Sequence, residues 1–192
     1  NYGNVGFLAS LPRDGWVEGL REMVGGEHRV VELLTVDAVL NGKRFAAVND
    51  VVLGRVEPRH VLHLEYEVSG ITVGRMLCDG LVLSTPTGST AYNLSCGGPI
   101  VEWDASAMLL NFIAPHSLGF RPMVLRTDHV ISVTNVSPLE ECEVVADGEA
   151  VGRLCCGDRA RIAAGERRAR LMVRAEGSFY QNVEEKLFTR EG

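Results

Sequence analysis

Residues 60–68, HVLHLEYEV, put Leu62, Leu64, Tyr66 and Val68 on one parity and His63, Glu65 and Glu67 on the other. Side chains alternate across a strand with a period of two, so this spacing predicts a strand buried on one face, with His63 toward the surface. Ser69–Gly70 follows at once, and then a second β-rich run, 71–77. Two residues that tolerate positive φ between two such runs read as a tight hairpin turn. Asn41–Gly42, between runs at 28–40 and 43–53, and Asp147–Gly148, between 141–146 and 150–155, repeat the arrangement. Further runs at 107–114, 122–126, 129–136, 159–164 and 168–175 leave a mainly β chain. A meander or two-layer β-sandwich buries one face of each such strand.

Helical spacing is found toward the ends. Pro12 and Asp14 can open a helix, Trp16, Val17, Leu20, Met23 and Val24 recur along it, and Gly25–Gly26 closes it. Phe179, Val183 and Leu187 recur four residues apart, the spacing of a short helix or docked tail whose apolar face needs a partner. The chain opens NYGNVGFLA, without Met, and its Val5, Phe7 and Leu8 read as a loop already inside a larger fold. The expected organisation is a linker loop and helix over 1–27, a sandwich over 28–176 and a tail over 177–192.

Composition sets bounds on function. At 192 residues with 46% hydrophobic and 23% charged residues, the chain suits one ordinary globular domain with a short appendage. A net charge of −6 repels phosphate backbones, so nucleic acid is not an expected partner. The basic run Arg167, Arg168 and Arg170 is broken by Ala169, flanked by Glu166, and reads as a solvated strand face. Five cysteines form no set at metal-ligand spacing, and the adjacent Cys155 and Cys156 lack a second pair, which fits free thiols in a reducing cytoplasm. No apolar run approaches the ~20 residues of a membrane helix.

The stretch that carries chemistry is 79–99, DGLVLSTPTGSTAYNLSCGGP. A buried strand, Leu81–Leu83, leads into Ser84, Thr85, Thr87, Ser89 and Thr90 around Pro86 and Gly88, and then into Ala91–Ser95, which can begin a helix. Hydroxyls and free backbone N–H groups at a helix start suit an anion or a polar nucleotide edge. Helix capping by Ser and Thr accounts for the same residues. The string has neither the Lys of a phosphate-cradling loop nor the dinucleotide glycine fingerprint.

TPTGSTAY at 85–92, with DGL before it and GGPI after it, resembles the signature of the NAD kinases. GNVGFL at 3–8, AVNDV at 47–51 and PHSLGFRP at 115–122 resemble further family segments in the same order. The resemblance implies a β-sandwich C-terminal domain and phosphorylation of the adenosine-ribose 2′-hydroxyl of NAD to give NADP. It implies that Asn49 and Asp50 hydrogen-bond the dinucleotide. Thr87, Thr90, Ala91, Tyr92 and Ser95 would face adenine and ribose, with Phe7 lining the adenine pocket. Asp79 and Ala114 match positions that reach NAD from a neighbouring subunit, which implies a homodimer or homotetramer. His116 is more simply a structural loop residue.

Family members also carry a Gly-Gly-Asp-Gly-Thr loop in an N-terminal domain, and this sequence contains no such string. Asp147–Gly148–Glu149 is the nearest echo and sits in an expected hairpin. The resemblance therefore implies an NAD-binding portion with no catalytic or metal-ligating residue of its own. ATP or polyphosphate, and Mg²⁺ or another divalent cation, would belong to the full enzyme, and the tail would dock on the N-terminal domain. A stand-alone NAD(P) sensor is the alternative of a different class.

Overall fold

Three hairpins frame the structure, a computed structural model that describes residues 7, 8, 11, 14–175 and 178–188. Residues 3–6, with Val5, and Pro12 lie outside the described residues. Asn41, Ser69 and Asp147 have φ of 48°, 50° and 47°, and Gly42, Gly70 and Gly148 follow at 77°, 82° and 85°. Two successive positive φ values match the right-handed twist of the flanking strands, and these residue pairs reach them at low cost.

The strands are β1 (His28–Leu40), β2 (Lys43–Ala47), β3 (Asp50–Arg55), β4 (Leu62–Val68), β5 (Ile71–Cys78) and β6 (Gly80–Ser84). They continue as β7 (Ala107–Ile113), β8 (Met123–Arg126), β9 (Val130–Asn135), β10 (Cys142–Ala146), β11 (Glu149–Leu154) and β12 (Arg159–Arg174). One six-stranded sheet runs β2-β1-β12-β9-β4-β5 and the other β11-β10-β3-β6-β7-β8. Every pairing is antiparallel.

Alternation fills the space between the sheets. Leu62, Leu64 and Tyr66 of β4 meet Leu81 and Leu83 of β6 and Phe112 of β7 in one buried cluster. The Tyr66 and Phe112 rings meet edge to face with centroids 5.3 Å apart. Truncating a fully buried leucine here, such as Leu64 or Leu83, costs about 2–5 kcal/mol. His63, Glu65 and Glu67 take the half-buried outer face.

Two expected runs are divided differently. Residues 43–53 form β2 and β3, which lie in different sheets, with the break at Val48–Asn49. Residues 159–164 and 168–175 form the single strand β12, because Gly165 marks an irregularity rather than a turn. There the pairing shifts from Leu34↔Arg168 to Val36↔Ala164, and the Thr35 hydroxyl donates to the Arg167 carbonyl at 2.7 Å. Leu34, Val36, Ala38 and Leu40 enter the main core, whereas Val31 and Leu33 join a second cluster with Trp103, Val173 and Phe179.

The helices are short. α1 (Trp16–Val24) buries Gly19 and Met23 and leaves Trp16, Val17, Leu20 and Val24 exposed. α2 is Tyr92–Ser95, a single turn. α3 (Phe179–Val183) is capped reciprocally by Ser178 and Gln181, seats Phe179 on Trp103 and runs into a π-helical turn, Glu184–Phe188. No helix among the described residues is long and apolar enough to cross a membrane.

Candidate functional site

The hydroxyls of the 84–90 stretch divide into two groups. Ser84, Thr85 and Ser89 are fully buried and bonded internally. Thr85 Oγ1 donates to the Val48 carbonyl at 2.6 Å and accepts from Gly88 N at 3.1 Å. Ser89 Oγ donates to the Val101 carbonyl at 3.1 Å and accepts from Val101 N at 3.0 Å. These groups build the turn and are closed to a ligand. Thr90 is half-buried, and Ala91, Tyr92 and Ser95 are exposed. Thr87 Oγ1 is buried without a hydrogen-bond partner, an expensive state for a hydroxyl. The helix start expected here is a 3₁₀ turn, Thr87–Thr90, followed by one turn of α2. Neither has the length to give a useful macrodipole.

The turn is clamped to the β2–β3 junction. Thr85 N donates to the Asn49 carbonyl at 2.9 Å, and Gly88 packs so closely on that carbonyl that a methyl group would overlap it. On the far side of the junction, the Asp147 carboxylate accepts from the backbone N–H of Val48, Asn49 and Asp50 at 2.7, 2.8 and 3.2 Å. Asp147 N in turn donates to the Asp50 carbonyl at 3.1 Å. Asp50 is 7% exposed. Burial, and then the neighbouring Asp147 charge, push its carboxyl up from the usual 3.8 to about 6.

Two buried amides fold α2 back along the outer face of the second sheet. Asn93 Nδ2 donates to the Ser89 and Pro99 carbonyls, each at 3.1 Å. Asn111 points away from its core neighbours Leu110 and Phe112 and donates to the Cys96 carbonyl at 3.1 Å. Tyr92 and the Cys96 thiol thereby come within electrostatic reach of Asp50. Burial raises the pKa of both, and Asp50 raises it further, with Cys96 and Asp79 adding to the effect on Tyr92. Tyr92 is exposed, Cys96 is half-buried and the Asp50 carboxyl is buried close to both.

Asp79 and Ala114 also come together. Asp79 N donates to the Ile113 carbonyl at 2.9 Å, and Ala114 is exposed with φ of 45°. Arg55 pairs with the Asp79 carboxylate at 2.8 Å. Phe7 is buried, and its carbonyl accepts from Asn182 Nδ2 of α3 at 3.1 Å. His116 is exposed in its loop, with its backbone N–H bonded to the Leu77 carbonyl. A separate cavity of about 270 Å³ lies beside Trp103 and Phe179, away from the turn. No group of three His, Cys, Asp or Glu among the described residues could hold a metal ion.

Sequence reasoning did not single out Asp147, Asn93, Asn111 or Arg55. Asp147 was visible only as a hairpin residue, because the three N–H groups it binds lie nearly 100 positions away in the chain.

Comparison with known proteins defines the class. Residues 48–174 match the family described as the ATP-NAD kinase C-terminal domain. The NAD kinase of Heliobacterium modesticaldum is 32% identical over 97% of this chain, and that of Geobacter sulfurreducens is 33% identical over the same share. The chain belongs to the NAD kinase family, and it spans 68% of the length of each of these relatives. Among solved structures, yeast NADH kinase complexed with NADH superposes with a TM-score of 0.89 at 27% identity, over 99% of this chain and 58% of that one. An NAD kinase from Archaeoglobus fulgidus in complex with ATP gives 0.81 at 28% identity, over 97% and 71%.

Proposed function

We propose that this chain supplies the dinucleotide-binding part of an NAD kinase, which transfers a phosphoryl group from ATP or polyphosphate to the adenosine-ribose 2′-hydroxyl of NAD to give NADP. The interlock of the Asn49–Asp50 junction with the 85–92 turn carries this reading. In support, the buried Asp50 carboxyl, whose pKa is raised, lies within electrostatic reach of the exposed Tyr92, and the Asn49 backbone is bonded to the turn. The Asp50 carboxylate accepts from ribose hydroxyls, and the Asn49 side chain offers both a donor and an acceptor. Thr90, Ala91, Tyr92 and Ser95 take the flat base and its polar edge, and the buried, unpartnered Thr87 hydroxyl belongs to the same turn. Phe7 belongs to the adenine side. Asp79 and Ala114 serve a neighbouring subunit's ligand, in a homodimer or homotetramer.

Phosphoryl transfer depends on positioning and on charge stabilisation around the donor and its metal. The described residues offer no metal-holding set, and the sequence has no Gly-Gly-Asp-Gly-Thr string. We therefore assign ATP or polyphosphate and Mg²⁺ to the remainder of the family's full-length enzyme. Residues 1–27 act as the connection to it, 28–176 as the binding sandwich and 177–192 as a docking tail. The free cysteines suit a cytoplasmic setting.

Calorimetric titration of this chain with NAD and NADP tests the reading. Saturable binding is expected, weakened at least tenfold by Tyr92→Ala, with no NADP formed from NAD and ATP. Absence of binding at millimolar ligand would contradict it.

A further inference from the structure

The Asp147 carboxylate lies at the tip of the β10–β11 hairpin and is bound by three consecutive backbone N–H groups, those of Val48, Asn49 and Asp50, at 2.7–3.2 Å. Those residues are where the chain leaves β2 in one sheet and enters β3 in the other. A chain crossing between sheets leaves its ladder partners behind, and its N–H groups need other acceptors. One carboxylate meets that need for all three. The bond from Asp147 N to the Asp50 carbonyl closes the arrangement from the other side. Asp147 holds φ of 47°, where Asp and Asn are tolerated and most residues are strained.

We propose that Asp147 is a positioning residue for the dinucleotide site, fixing Asn49 and Asp50 toward the ligand through the junction backbone. The proposal rests on the NAD-binding reading above. A structural tie alone would need only an acceptor. Asp147 is also a charge beside Asp50, and it is one of the two causes that hold the Asp50 carboxyl near about 6. The other ionisable groups within electrostatic reach of Asp50 are Tyr92 on α2 and Cys96 just after it. Neither carries a charge at neutral pH while its pKa is raised. The pair Asp147–Asp50 therefore sets both the geometry of the ligating groups and the pH at which the carboxylate is available.

Asp147→Asn is the informative variant. It keeps a residue suited to the left-handed backbone and one acceptor oxygen, but loses the charge. NADP binding is measured calorimetrically from about pH 5 to pH 8 for the wild type, Asp147→Asn, Asp50→Asn and the double variant, with melting temperatures recorded alongside. The expected results are roughly tenfold weaker binding for Asp147→Asn and a pH midpoint moved down from that of the wild type. The double variant should show no pH dependence beyond that of Asp50→Asn. If the wild type binds and Asp147→Asn binds equally well with the same midpoint, Asp147 is only a turn residue. If a lower melting temperature accompanies weaker binding while the midpoint stays fixed, the role is structural and the proposal fails. If the wild type itself does not bind NADP, the underlying function is what fails.

Discussion

Gly88 lies directly against the backbone carbonyl of Asn49, with no room for a methyl group between them. The contact joins the hydroxyl-rich turn to the β2–β3 junction, about forty positions away in the chain. The carbonyl is backbone on a clamped junction and has little freedom to yield.

Gly88→Ala should therefore separate the two halves of the site. Overpacking of this kind costs about 1–3 kcal/mol, so a lower urea midpoint is expected together with loss of NADP binding. Wild-type affinity in a variant of lowered stability would show that the contact serves the fold alone.

Asn93 is buried completely and bridges the carbonyls of Ser89 and Pro99, and a side chain at Gly98 would collide with it. Removing the amide leaves two buried acceptors unmatched and a void. Asn93→Ala should lose about 2–4 kcal/mol in chemical denaturation. A loss below about 0.5 kcal/mol would mean that solvent replaces those bonds.

Asp50 ties stability to pH against the usual direction for a carboxylate. Its pKa is raised on folding from 3.8 to about 6, so the folded state holds the proton more tightly. Its contribution is fully present below about pH 4 and is lost as pH rises through about 6. Asp50→Asn, which imitates the neutral acid, should exceed wild type in stability at pH 7 by about 1–2 kcal/mol, after allowance for solvent screening of the exposed Asp147. The difference should vanish near pH 4. The same variant should bind NADP more weakly, so a group kept at a stability cost would be kept for the ligand. Urea midpoints at the two pH values check the sign.

The thiols give a further test. Cys155 and Cys156 are exposed, Cys96 is half-buried, and burial pushes the thiols of Cys78 and Cys142 up to about 12. A thiol reagent at neutral pH should label Cys155 and Cys156 first and Cys96 slowly, and should reach Cys78 and Cys142 only on unfolding. NADP should slow Cys96 alone. Equal labelling of Cys96 with and without NADP would remove Tyr92 and its neighbours from the site.

Local chemistry was legible in the sequence wherever local chemistry decides structure. Asn41–Gly42, Ser69–Gly70 and Asp147–Gly148 announced their turns because few residue pairs accept two positive φ values. Alternation in 62–68 announced a one-faced strand. Long-range effects were not legible. The break at Val48–Asn49 is bonded by the distant Asp147, and β12 beyond Gly165 is bonded by Thr35 across the sheet. In the 84–90 stretch, residue type could not separate hydroxyls that face solvent from those that hold the turn, because burial alone distinguishes Ser84, Thr85 and Ser89 from Thr90.

A crystal structure of this chain grown with NADP examines the central claim most directly. Adenosine should lie against Tyr92 and Ala91 with its ribose within hydrogen-bonding distance of Asp50. Well-ordered NADP seated elsewhere, with the Tyr92–Asp50 surface bare, would contradict the account.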